Sequence, residues 1–238
     1  MKKHLRWLPL LAILFSVPLK GVVRLPAIFS DHMVVQDGLP VKVWGWASPG
    51  ESLEIKFSGQ KLRLRANNVG QWNAEFKPAE GKGPHQMVFT GRNRLRIRDI
   101  LVGEVWICSV QSNMEWPMTR TQNSAQEIAG AELPDVRLFN VPRQASGKPQ
   151  ENCQGAWLPC NPQSAKTFSA VAYFFGRNLH IETGKPIGLI QGAWGGSPIE
   201  GWTSMAALER VKDARPILDK GESRVNAFIT NKKSYLAR

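Results

Sequence analysis

The stretch from Trp106 to Met118 reads WICSVQSNMEWPM, and at its centre Ser112 stands between two amides, Gln111 and Asn113. A serine that leaves an apolar run has two uses: it closes a turn through its hydroxyl, or it attacks a carbonyl carbon. Attack also requires donors for the negative charge that develops on the carbonyl oxygen. Backbone N–H groups at the start of a helix or turn after Ser112 would supply them. A second loop, QGAWGGSPIEGW from Gln191 to Trp202, carries Gly195 and Gly196. With no side chains, these glycines let the backbone approach a bound carbonyl and donate an N–H. Serine and donors together describe acyl transfer without a cofactor. Val110 to Met114 lack the glycines of the G-x-S-x-G elbow, so the residues alone leave both the turn and the nucleophile standing.

Both loops follow apolar runs. After residue 100 the segments GEVWICS, DVRLFNV and PIGLIQG read as buried strands, and they alternate with segments of helical spacing, SAVAYFFGRNLH and SMAALERVKDA. That alternation predicts an α/β unit, a parallel sheet covered on both faces by helices, with the two loops at the carboxyl ends of strands where clefts form. In the first helix Val171, Phe174, Phe175 and Leu179 share one face, and Thr167 or Ser169 can cap its start. Residues 21–100 behave differently. Short segments of period two (VKVWGW, SLEIKF, KLRLRA, QWNAEF, QMVFTG, RLRIRD) separated by Gly, Pro and Asn clusters predict an antiparallel, sandwich-like all-β domain. The change of rhythm sets a domain boundary near Arg98 to Gly103 without a long linker. Trp44, Trp46 and Trp72 in the β region suit core packing or a sugar-stacking platform.

The 238 residues carry a formal charge of +12. Lys2, Lys3 and Arg6 precede the apolar run WLPLLAILFSVPL, which is short for a membrane span and broken by Pro9 and Pro18. Residues 1–20 therefore read as a secretory signal peptide, with an interfacial anchor as the alternative, and imply a secreted or periplasmic protein. Its removal takes four cations and leaves +8. Much of the rest is Lys61, Arg63, Arg65, Arg94, Arg96 and Arg98 at alternate positions, a solvated sheet face or an attraction for acidic glycans. Export and the lack of a binding motif argue against nucleic acid. Cys153 and Cys160 flank QGAWLP and can close a small disulfide loop, leaving Cys108 as a buried thiol. No Cys and His spacing suits a metal.

The run VGEVWICSVQSNMEWPM resembles the nucleophile block of the sialate O-acetylesterase family, SGNH-type hydrolases in which the serine of a G-Q-S-N-M motif attacks the ester. RLPAIFSDHMVVQDGLPVKVWGWASPGE, FSAVAYFFGRNLH and GKPIGLIQGAWGGSPIEGWTS are similar to further blocks of the family, in the same order. The resemblance implies an SGNH-like α/β domain over 101–238 and a carbohydrate O-acetylesterase acting on an acetylated sugar or glycan. It places Ser112 as nucleophile, with its own N–H and one from Gly195 or Gly196 as oxyanion donors. Gln111 and Asn113 would support the loop or the substrate. Glu200 either fixes its loop or meets the substrate, and Trp194 and Trp202 line a sugar site or pack.

Two departures accompany the resemblance. Val110 stands where the family has glycine, and a β-branched residue disfavours positive φ, so the elbow is either extended or strained there. Family members also supply a histidine from a D-x-x-H block, whereas His4, His32, His85 and His180 all lack an aspartate three residues before them. The sequence is therefore expected to be the front portion of a longer esterase, nearly inactive without its base. A noncatalytic glycan-binding protein and an inactive gene fragment are the competing expectations.

Overall fold

A computed structural model describes residues 22–146 and 148–214, with 216, 219–221 and 223. The proposed signal peptide lies outside the described residues, as does His4. Strands β1 (Val34–Gln36), β2 (Val41–Trp46), β3 (Ser52–Phe57), β4 (Gln60–Arg65), β5 (Gln71–Phe76) and β6 (His85–Thr90) come first along the chain. They follow the alternating segments, because period-two apolarity puts one side of each strand toward a core. In β3 the alternation is clean: Leu53, Ile55 and Phe57 are buried, and Lys56 is exposed. β2 pairs with β5, while β3 pairs with β4 and β6, all antiparallel. Trp72, Phe76, Phe57 and Phe89 fill the space between them. Trp72 is thus core, whereas Trp44 is 39% exposed. Lys61, Arg63, Arg65, Arg94, Arg96 and Arg98 all point to solvent.

The next strand, β7 (Arg94–Val110), is 17 residues long and changes partners along its length. Antiparallel β6 accompanies it from Arg94 to Ile100, parallel β1 from Leu101 to Val102 and Gly103, and parallel β10 (Ile187–Ala193) from Glu104 to Val110. RLRIRD and GEVWICS therefore lie in one unbroken strand. β10 also pairs in parallel with β8 (Leu133–Asn140), and β9 (Trp157–Cys160) closes the edge antiparallel to β8. The order β4-β3-β6-β7-β10-β8-β9, with β1 also on β7, makes a mixed sheet. Together with its helices, it fits an α/β hydrolase fold.

Helix α1 (Ser112–Glu115) follows β7, then α2 (Ser124–Ala129), α3 (Pro162–Ala165), α4 (Ala170–Thr183) and α5 (Met205–Leu208). Ser169 caps α4 by accepting from Ala172 N–H at 3.2 Å. The buried side of α4 is Ala170, Ala172, Tyr173 and Gly176, while Val171 and Phe175 are 46% and 42% exposed. Half of the expected stripe holds, since Phe174 and Leu179 pack against the core, and half is corrected: Val171 and Phe175 face outward, and Ala172 and Gly176 beside Tyr173 let the helix approach the sheet closely. Gly176 is the point of closest approach, because a Cβ there would lie 2.6 Å from Leu189 Cδ1.

Coverage of both sheet faces is also corrected. Among the described residues α4 packs on β8 and β10 from one side, while Ile107 on the other side of β7 is 76% exposed. The proposed Cys153–Cys160 bridge is absent: both are free thiols, Cys153 against the core of the antiparallel strands and Cys160 in the core beneath α4. Burial pushes the Cys108 thiol up to about 11 and the Cys160 thiol up to about 12. Neither is a ready nucleophile.

One charged cluster ties the halves of β7 to β8. Asp99, at φ 53, accepts from Arg137 Nη1 at 2.6 Å and lies 2.7 Å from His32 Nδ1. Arg137, with only 5% of its side chain exposed, also donates to the carbonyl of Pro134 at 2.6 Å. Burial opposes the charge on Asp99, but the bonds from Arg137 and His32 outweigh it and hold the carboxyl below its ordinary range.

Candidate active site

Ser112 is the first residue of α1, immediately beyond the end of β7, and is exposed. As a first-turn residue it keeps an N–H without a partner inside the helix. The elbow that aims it is strained: Val110 has φ 104, a value that costs a β-branched residue about 1–3 kcal/mol. Neighbouring bonds fix the position. Val110 accepts from Trp194 N–H at 3.0 Å, which binds the elbow to the loop after β10.

That loop brings Gly195 against the serine. A Cβ on Gly195 would fall 3.2 Å from Ser112 Oγ and 2.9 Å from Glu115 Oε2, so the approach depends on glycine. Gly195 N–H donates to Glu115 Oε2 at 2.8 Å, and Arg143 Nε donates to Glu115 Oε1 at 2.6 Å. These two bonds, the glycine N–H first and the guanidinium second, hold the Glu115 carboxyl below its ordinary range. A carboxylate so stabilised is a poor proton acceptor for Ser112. The Gly195 N–H in this arrangement serves Glu115, while the Ser112 N–H has no bonded partner among the described residues.

A cleft of about 630 Å³ opens at this point, lined by Ser112, Glu115, Trp116, Asn140, Arg143 and Gly195 among others. Asn140 is a residue that sequence reasoning missed. It ends β8 beside β10, its side chain is exposed, and among the described residues no carbonyl or carboxylate engages its amide, so it can offer an N–H to a bound oxygen. The rule that drew attention to the ends of WICS and IGLI applies equally to DVRLFN and would have found it. Arg143, whose guanidinium lies 5.8 Å from the centre of the Trp194 ring, was missed because nothing in PRQ distinguishes it from a solvated arginine.

The other expected residues serve the loops. Gln111 donates through Nε2 to the carbonyl of Ser197, joining the two loops. Asn113 is exposed on α1, and Gly196 sits at φ 76 on the exposed side of its loop. Glu200 lies in a 3₁₀ turn over Ile199–Trp202 and does not line the cleft. Trp202 donates to Ser197 Oγ at 2.7 Å. No described histidine lines the cleft: His32 meets Asp99, His85 Nε2 meets the carbonyl of Gly81 at 3.2 Å, and His180 Nδ1 meets that of Lys185 at 2.6 Å. Among the described residues there is no group of ligands able to hold a metal.

No family model matches the chain. It is similar to sialate O-acetylesterase of Rattus norvegicus, 29% identical over 207 residues that make up 78% of this chain and 38% of that protein. The human sialate O-acetylesterase matches at 29% over 78% of this chain and 40% of its own length. A carbohydrate acetylesterase of known crystal structure from Xanthomonas citri superposes with a TM-score of 0.76 and 37% identity, over 79% of this chain and 44% of that one. The chain thus spans about two fifths of the relatives it matches. Over that span it is similar in sequence to sialate O-acetylesterases and in sequence and fold to a carbohydrate acetylesterase.

Proposed function

We propose that this chain is the serine-bearing part of a carbohydrate O-acetylesterase with an SGNH-like arrangement, preceded by an all-β domain over 21–100 and exported by the segment 1–20. The observation that carries the reading is Ser112 at the head of α1, open to a cleft and closely approached by Gly195. An acetyl group seated there would meet the serine oxygen at its carbonyl carbon, while its carbonyl oxygen would turn toward the Ser112 N–H and the Asn140 amide. Attack by Oγ would form a tetrahedral oxyanion, its collapse would release the sugar hydroxyl, and water would then hydrolyse the acetyl-serine. An acetylated sugar or glycan is the substrate this chemistry serves. Nucleic acid is not, and no described helix is long and apolar enough to cross a membrane.

The weak link is the base. Glu115 is stabilised as its anion and no described histidine reaches the cleft, so the proton on Oγ has no efficient acceptor among the described residues. Slow turnover is expected, a loss of several orders of magnitude relative to a complete triad. Hydrolysis of 4-nitrophenyl acetate by the purified chain, followed with and without Ser112→Ala, tests the assignment. The substitution is expected to abolish whatever rate exceeds the buffer; an unchanged enzymatic rate would remove Ser112 from the mechanism.

A further inference from the structure

A second cleft, of about 380 Å³, adjoins the one at Ser112. Val141 and Pro142 line both, forming the ridge between them. On this ridge Arg143 reaches into the Ser112 cleft and the next residue, Gln144, into the second. Apolar side chains of Ile28, Val141, Ile190 and Cys153 form much of its lining, and Trp44 stands at its wall. The indole of Trp44 is fixed on two sides: Phe29 packs edge-on with ring centres 4.7 Å apart, and its Nε1 donates to the carbonyl of Glu151 at 3.3 Å. Yet 39% of the residue remains exposed.

We propose that this cleft is a saccharide subsite, binding a neutral sugar unit of an oligosaccharide whose acetylated unit lies at Ser112. The proposal rests on the esterase reading for the second half of that statement, while the binding of sugar stands by itself. A pyranose ring offers a C–H face and a rim of hydroxyls. An immobilised aromatic wall suits the face, and amides suit the rim, since each amide both donates and accepts. Gln144 and Gln154 are exposed in the lining and carry no hydrogen bond within the described structure, so their amides are open to a ligand. Asn152 uses its Oδ1 to accept from Ala27 N–H at 2.9 Å, which fixes the amide and leaves its NH₂ for the rim.

Charge selects the kind of sugar. Glu151 is the one ionisable carboxylate or cation among the lining residues, and among the described residues no cation pairs with it: its oxygens accept from Gln71 Nε2 at 3.2 and 3.1 Å. A carboxylated sugar would therefore meet a like charge, since the Arg143 cation on the ridge is already engaged by Glu115. Neutral hexosyl or pentosyl units meet no such penalty.

The test measures binding of unacetylated oligosaccharides by calorimetry with the whole chain, using xylohexaose and cellohexaose as neutral probes and hexagalacturonate as the acidic one. Saturable binding of at least one neutral probe is expected, with hexagalacturonate at least tenfold weaker. Trp44→Ala is expected to weaken neutral binding by tenfold or more and Trp44→Phe by less. Gln144→Ala, at an exposed side chain without a partner, weakens it several-fold and guards against misfolding of the tryptophan variants. Failure of both neutral probes to bind at millimolar concentration would overturn the proposal, as would binding by both Trp44→Ala and Gln144→Ala equal to the parent's or a preference for the acidic probe. Because the probes carry no acetyl group, these outcomes are independent of the Ser112→Ala result, which alone decides the esterase reading.

Discussion

At Val110 the chain holds a β-branched side chain in a conformation that glycine tolerates and valine resists. The family resemblance flagged this position, and the structure resolves the alternative between an extended and a strained elbow in favour of strain. Val110 is 38% exposed, so its side chain contributes little core. Val110→Gly is therefore expected to stabilise the fold by about 1 kcal/mol, read as a higher denaturation midpoint at unchanged slope. Glu115 supplies a second test at this scale. Its carboxyl is depressed in the folded chain, so its contribution to stability is complete above the ordinary carboxylate range and disappears as pH falls through the folded value. Thermal melts between about pH 5 and pH 2.5 should show Glu115→Gln losing less stability on acidification than the parent. An identical acid response in both would mean that the Gly195 and Arg143 bonds do not distinguish the charged form.

Elements were legible where periodicity was unambiguous. The strands of residues 41–90 follow the alternating segments almost residue for residue, since a half-buried strand leaves period two in the sequence. Helix α4 was placed correctly along the chain but not about its axis. Of Val171, Phe174, Phe175 and Leu179, which spacing put on one face, only Phe174 and Leu179 pack against the core, whereas Ala172 and Gly176 let the helix close on Leu189. Small residues at a contact leave no hydrophobic signature. Gly176→Val should therefore push α4 off β10 at a cost of about 2 kcal/mol or more, seen in the denaturation midpoint, whereas Phe175→Ser on the exposed side should cost much less. The site was legible in the same partial way. Ser112 and Gly195 were found because loops after buried strands are informative, while the occupation of the Gly195 N–H by Glu115 depends on contacts that no spacing encodes.

For the molecule as a whole, the change of rhythm near residue 100 marks a change of partners within β7, across an irregularity at Arg98 and Asp99 that the strand continues past. The two apolar cores therefore share a strand, and the Arg137–Asp99–His32 cluster pins its middle. Arg137→Ala leaves Asp99 without its guanidinium and should destabilise the fold by about 2–3 kcal/mol. If the cores unfold together, tryptophan fluorescence and far-ultraviolet circular dichroism will give coincident transitions in the parent and in the variant. Separate transitions in the parent would show that β7 does not couple them.

A strand that serves two sheets' worth of partners also has a parity. Near its end, adjacent residues of β7 face opposite sides of the sheet, Ile107 the open side and Cys108 the core. Deleting a single residue there would exchange the sides of all that follow, bury what is now wet, and present Ser112 from the wrong side of the sheet edge. Removal of two adjacent residues would restore the alternation but draw the serine about 7 Å back from Gly195. A change of length that keeps the site is thus expected to be tolerated in the loops and not in β7, because the strand that joins the two cores also measures the distance to Ser112.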